Sequence, residues 1–377
     1  MEPAVSEAKR AGDRGDYPIG AVITRLTGGR EVVIASAGNR WSLLRLTSFV
    51  LLALGMLLAP LSGWSQLVPG STQVHWNEGA PNCSKNPQPP LQVHSYNTQT
   101  FILRENLCST FEAPFMYLLI GNTKTMLIDT GAVTDASQMP LEKTVMSLLP
   151  MEGSAKLPLL VVHTHRHLDH RAGDAQFMHL ADVQVVGFDL ESVRQFHHFT
   201  NWPNGVAQID LGNRTVDVIP TPGHNETEVS FYDRNTGLFF SGDFLLPGRL
   251  LIDDPKADLA SAGRAAAFVK DRPVSFVLGG HIEKDVQGKL FPSGSQYHPN
   301  EHVLQLSKDD LLALPEALRS FNGFYTTKGQ FVMMDPIHNL TAVGVLIVLV
   351  LVALVAMVVW YVRRRRRTRE LRTAAQN

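Results

Sequence analysis

The segment His165-Arg166-His167-Leu168-Asp169-His170 places four metal-capable side chains within one loop-sized stretch. Each imidazole offers a nitrogen lone pair and the carboxylate an oxygen, so all four can bind a divalent cation. Their spacing (i, i+2, i+4, i+5) cannot lie on one helical face, so it is not amphipathic patterning. Residues 157–164 upstream are apolar and β-branched and read as a buried strand. The cluster therefore falls where a strand gives way to a loop, as ligands held by a rigid scaffold do.

Further candidates close other apolar runs. His224 follows the strand-like Val216–Pro220 through Thr221-Pro222-Gly223, and Asp243 ends a run opened by the turn Asp233–Gly237. His281 follows residues 275–279, and Asp129 closes the run from Thr125. A glycine beside each of these four lets backbone approach closely or turn with positive φ. Five strand ends each carrying such a residue point to an α/β arrangement with a site along one sheet edge.

The ordered series His-x-His-x-Asp-His, a lone His, a lone Asp and a last His resembles the metallo-β-lactamase superfamily over roughly residues 91–335. The resemblance implies an α+β fold, a four-layer αβ/βα sandwich with two sheets face to face and helices outside. It also implies two divalent metal ions. His165, His167 and His224 match the ligands of one, Asp169, His170 and His281 those of the other, with Asp243 bridging and Asp169 as the catalytic candidate. Asp129 matches the early strand-end Asp that supports the metal loop without binding metal. The donors are His and Asp only, which suits zinc and leaves iron or manganese open.

Two divalent ions sharing a water lower its pKa toward 7 and supply hydroxide for attack on a carbonyl or phosphoryl group. Asp243 stands where one β-lactamase subclass has Cys, and resembles glyoxalase II, lactonases and the phosphodiesterase branches instead. Only 37 residues separate Asp243 from His281, too few for the extra domain of the nucleic-acid-processing branch. Residues 91–335 carry no basic channel, and the net charge of −1 gives no electrostatic case for a nucleic-acid partner. A flavin di-iron oxidoreductase would want a carboxylate at His167. The expected reaction is hydrolysis of a small ester, thioester or lactone. β-Lactamase or phosphodiesterase activity, an iron-dependent dioxygenase and a non-catalytic metal-binding module are the alternatives.

Other histidines read as structural. His163 lies within the strand, and His197 and His198 suit a helix end better than a substrate mouth. His298 and His302 fall where a loop could equally well fold over the site. Strands are expected at 115–130, 157–164, 183–188, 215–220, 228–232, 237–242 and 274–279, and helices at about 138–149 and 256–270.

The 377 residues suffice for an ample core. Ala342–Val362 is a run of 21 uncharged residues, enough for the ~20 that a ~30 Å hydrocarbon core requires. Trp360 and Tyr361 end it, and Arg363–Arg367 follow. Such a flank stays cytoplasmic, so a transmembrane helix (340–362) with a basic inner tail (363–377) and an extracytoplasmic domain is expected, with the lipid bilayer and a small molecule as partners. Leu46–Leu61, uncharged and preceded by Arg40 and Arg45, reads as a signal peptide or N-terminal anchor within residues 41–65. Residues 1–40 are expected to be a disordered extension or a start-codon artefact, and 66–90, rich in Pro and Asn, a linker. Cys83 and Cys108, both in the expected exported region, favour a disulfide in an oxidising compartment.

Overall fold

The computed structural model describes residues 20–27, 30–38, 66–153 and 155–374. It divides into two units, Met1–Trp64 and Ser65–Asn377. In the first, β1 (Gly20–Thr27) and β2 (Arg30–Gly38) form an antiparallel pair. Both strands lie within the expected N-terminal extension, where the β-branched runs Val22-Ile23-Thr24 and Val32-Val33-Ile34 favour extended backbone. The expected signal peptide lies outside the described residues.

The second unit is built on two six-stranded sheets. Its strands in chain order are β3 (Leu91–Asn97), β4 (Thr100–Glu105), β5 (Phe115–Ile120), β6 (Thr125–Ile128), the small pair β7 (Met151–Glu152) and β8 (Ala155–Lys156), β9 (Leu159–Val162) and β10 (Val183–Val185). There follow β11 (Ala207–Asp210), β12 (Thr215–Pro220), β13 (Val229–Asp233), β14 (Leu238–Gly242), β15 (Arg249–Leu251), β16 (Phe276–Gly279), β17 (Gln305–Leu306), β18 (Tyr325–Lys328) and β19 (Phe331–Met334). The helices are α1 (Leu141–Leu148), α2 (Leu190–Phe196), α3 (Pro255–Val269), α4 (Lys308–Arg319) and α5 (Pro336–Ala374). One sheet runs β10-β9-β6-β5-β4-β3 and the other β11-β12-β13-β14-β16-β17, while β15-β19-β18 form a separate three-stranded sheet.

Strand alternation makes the layers. Tyr117, Leu119 and Ile128 of the first sheet meet Val218, Phe231 and Phe240 of the second in one core. Their neighbours Met116, Leu118 and Leu127 point the other way, onto Leu141 and Val145 of α1. On the far side Tyr232, Phe239 and Val277 pack on Ala265 and Phe268 of α3 and Leu311 and Leu314 of α4. Three apolar cores between four layers make the αβ/βα sandwich.

Local chemistry sets the helix ends. Asp254 caps α3 by accepting the Lys256 and Ala257 N–H groups, and Pro255 stands at its first position. Ser307 and Asp310 form a capping box at α4. The expected single run 115–130 is two strands, with Gly121–Lys124 turning between them. The segment expected as a linker packs on the domain instead. Trp76 is buried against Phe115, and Val68 N–H donates to Asn235 O at 2.7 Å. Burying the indole outweighs the turn-rich composition around it.

α5 is long and apolar enough to cross a membrane. Its side chains from Val345 to Val352 are exposed on every face, unlike a core helix.

Candidate metal centre

The metal loop is held by Asp129, which ends β6 with a positive φ of 66°. Its Oδ1 accepts Thr164 N–H at 2.7 Å, and its Oδ2 accepts the Thr164 hydroxyl at 2.8 Å and His170 Nδ1–H at 2.9 Å. Beyond β9 the chain turns through a short 3₁₀ segment, Leu168–His170, which separates the directions of the clustered side chains. β12, β14 and β16 deliver His224, Asp243 and His281 to the same end of the sandwich.

Two donor sets result, one of His165, His167 and His224, the other of Asp169, His170, Asp243 and His281. In the first, His165 Nε2 and His224 Nε2 lie 2.9 and 3.0 Å from His167 Nδ1. In the second, Asp169 Oδ2 is 3.4 Å from His170 Nε2 and 3.3 Å from His281 Nε2. Asp243 faces both. Its Oδ1 is 3.5 Å from His170 Nε2 and from His281 Nε2, and its Oδ2 is 3.6 Å from His224 Nε2.

The outer ring nitrogens are fixed. His170 uses Asp129, His224 Nδ1 donates to Leu251 O at 2.9 Å, and His281 Nδ1 donates to Glu112 O at 2.7 Å. His165 Nδ1 meets Thr164 Oγ1 at 3.2 Å. Each contact leaves Nε2 as the inward lone pair, the tautomer a metal needs. Gly280 gives the cluster room, since a Cβ there would lie 2.5 Å from Asp243 Oδ1 and 2.8 Å from His170 Cε1.

The electrostatics suit bound cations. Burial opposes charge on His281, but Asp243 and Asp169 hold its pKa up to about 9. Burial likewise opposes ionisation of Asp243, and His281 and His170 nevertheless keep its carboxyl below the usual range. Burial lowers the pKa of His165, which favours the neutral ligand form. Asp243 Oδ1 is buried without a hydrogen-bond partner, as a carboxylate oxygen waiting for a cation would be. These residues fit two divalent ions.

Residues 109–281 match the sequence model of the metallo-β-lactamase superfamily. A hydroxyacylglutathione hydrolase from Aeromonas hydrophila is 30% identical over 229 residues, which cover 57% of this chain and 82% of that protein. This chain belongs to the metallo-β-lactamase superfamily. The human acyl-coenzyme A thioesterase MBLAC2 is 27% identical over 233 residues, covering 52% of this chain and 83% of that protein. A solved metallo-β-lactamase from Pontibacter korlensis aligns with a TM-score of 0.40 at 17% identity, over 60% of this chain and 99% of that one. As a superfamily member with such relatives, the protein is a metal-dependent hydrolase, and its His/Asp cluster is of the kind that holds two divalent metals there.

The other sequence candidates lie elsewhere. His163 is buried against Asp174 at 2.8 Å. His197 and His198 border a cavity of about 550 Å³ with Lys124, Asp182, Gln184 and Gln208, away from the metal-capable set. His298 stacks on Phe291 and contacts Glu301, which pairs with Arg104 at 2.6 Å. Cys83 and Cys108 form a disulfide with a Cα separation of 5.3 Å.

Glu228 and Glu105 escaped the sequence reading. Glu228 is fully buried behind Asp243, and burial raises its pKa well above the usual carboxylate range. Glu105 accepts Ala132 N–H at 3.0 Å beside the Asp129 turn, and burial raises its pKa to about 7. No spacing marks either one.

Proposed function

We propose that the protein is a membrane-anchored binuclear hydrolase of acyl thioesters, or of a small ester or lactone, with its catalytic domain outside the cytoplasm. The observation that carries the reading is Asp243, whose two oxygens face two separate donor sets. His165, His167 and His224 would hold one ion, and Asp169, His170 and His281 the other, with Asp243 shared. Two bound divalent ions, of which zinc suits these donors best, would supply Lewis acidity and a water acidified toward neutral pH.

This chain's own residues do the rest. Asp129 orients His170, and Leu251 O and Glu112 O orient His224 and His281. Asp169 and Asp243 add the negative charge that offsets two dications. Thioesters are favoured because the relatives described above are named for an acyl-coenzyme A and a glutathione thioester. A glutathione thioester would ordinarily be cytosolic, which counts against that substrate at an outer membrane face. Two features support that location: the Arg-rich stretch Arg363–Arg367 that follows the apolar part of α5, and the disulfide, which persists in oxidising compartments.

Metal analysis followed by a panel of esters, thioesters, lactones, phosphodiesters and nitrocefin tests the assignment. Two zincs with thioester turnover are expected. One iron per chain with no hydrolysis would reject it in favour of an oxygenase.

A further inference from the structure

The membrane helix is joined to the metal centre through a short rigid path. Asp335, only 2% exposed, caps α5 by accepting His338 N–H at Oδ1, 2.8 Å away, while its backbone oxygen accepts Asn339 N–H at 3.1 Å. Asn339 Nδ2 donates to Phe324 O at 3.1 Å, and the Phe324 and His338 rings lie 6.0 Å apart. The first turn of α5 is thus fastened to the β18–β19 hairpin. β19 pairs with β15 at Leu251↔Met334, and Leu251 O is the group that holds His224 Nδ1. Along these links the His224 ring lies no more than roughly 20 Å from Pro336.

The root of α5 is built for an interface. Phe324, Tyr325, Ile337 and Leu340 are 48, 50, 61 and 75% exposed. From His338 to Trp360 the helix rises roughly 33 Å, close to the ~30 Å of a hydrocarbon core, so Phe324 and Tyr325 mark one headgroup level and Trp360 and Tyr361 the other. A water-soluble substrate gains nothing from a centre fastened this close to the bilayer. A membrane-borne one gains effective concentration.

We infer that the substrate is an amphiphile taken from the bilayer, a long-chain acyl thioester whose tail stays in the leaflet while its carbonyl reaches the His/Asp cluster. The inference rests on the thioester hydrolysis proposed above. Water adds to the thioester carbon and the C–S bond breaks. The acyl group leaves as a fatty acid and the proton from water ends on the thiol.

The test uses the full chain, metal-loaded, in phosphatidylcholine vesicles. Twenty Gly/Ser residues inserted between Leu340 and Thr341 leave the Asp335 and Asn339 contacts intact and add a mean reach of roughly 25 Å. Hydrolysis of a hexadecanoyl thioester dissolved in the vesicles is expected to fall by at least about tenfold, while that of a water-soluble acetyl thioester stays within about twofold. Phe324→Glu with Tyr325→Glu should give the same split. Unchanged hydrolysis of the vesicle-borne thioester by the insertion variant, with acetyl thioester turnover intact, overturns this inference alone. Turnover of neither thioester by the unmodified chain removes the proposed function and this inference with it.

Discussion

Glu228 holds the backbone at Asp243: its Oε1 accepts Asp243 N–H at 3.1 Å and Phe244 N–H at 2.8 Å. Burial raises the pKa of Glu228, and its role is to accept from the backbone beside Asp243. Glu228→Gln keeps a carbonyl oxygen there and should retain metal binding. Glu228→Leu strands two donors and should weaken binding at the Asp243 side by about 10–100-fold. Metal competition titration reads the difference, and equal affinity in both variants would remove the positioning role.

Asp243→Asn should weaken the metal at Asp169, His170 and His281 more than the one at His165, His167 and His224, which keeps three imidazoles. Stoichiometry should move toward one tightly bound ion, with turnover lower by orders of magnitude. Asp243→Cys, longer and softer, should also impair the pair. His167→Ala and Asp169→Ala should lose metal and activity while the chain stays folded. Two ions held at unmodified affinity in Asp243→Asn would show that Asp243 is not a ligand shared by the two sets.

Asp258 in α3 carries a pH dependence of its own. Burial, with Asp254 nearby, raises its carboxyl to about 8 from an ordinary 3.8. The native state therefore keeps a proton that the unfolded chain gives up, and stability falls as pH rises from about 4 to about 8. The slope from this group is at most about 1.4 kcal/mol per pH unit. Asp258→Asn cannot titrate, so its thermal midpoint should decline less between pH 5 and pH 8. Parallel declines in the two proteins would show that Asp258 does not titrate in this range.

Topology is testable with a reporter fused after Asn377 that is active only outside the cytoplasm. The Arg-rich flank of α5 predicts a dark fusion. A bright one would reverse the orientation and remove the argument for an oxidising environment around Cys83 and Cys108.

The metal-capable cluster was legible because such chemistry needs particular side chains at strand ends, and His165 to His170, His224, Asp243 and His281 announce themselves by type and by the apolar runs before them. The long apolar helix was legible because it needs only length and apolarity. The groups that aim the cluster's side chains were not. Leu251 O and Glu112 O are backbone atoms, available at any residue, and Glu228 reaches Asp243 through pairing of β13 with β14. Trp76 lies in a stretch whose composition reads as linker, yet it is buried against Phe115 across a fold that local propensity does not encode. Periodicity could assign strands but not face one sheet to another. That required Tyr117 and Phe240 to find each other across the core, 4.6 Å between ring centroids, and only long-range packing decides such contacts.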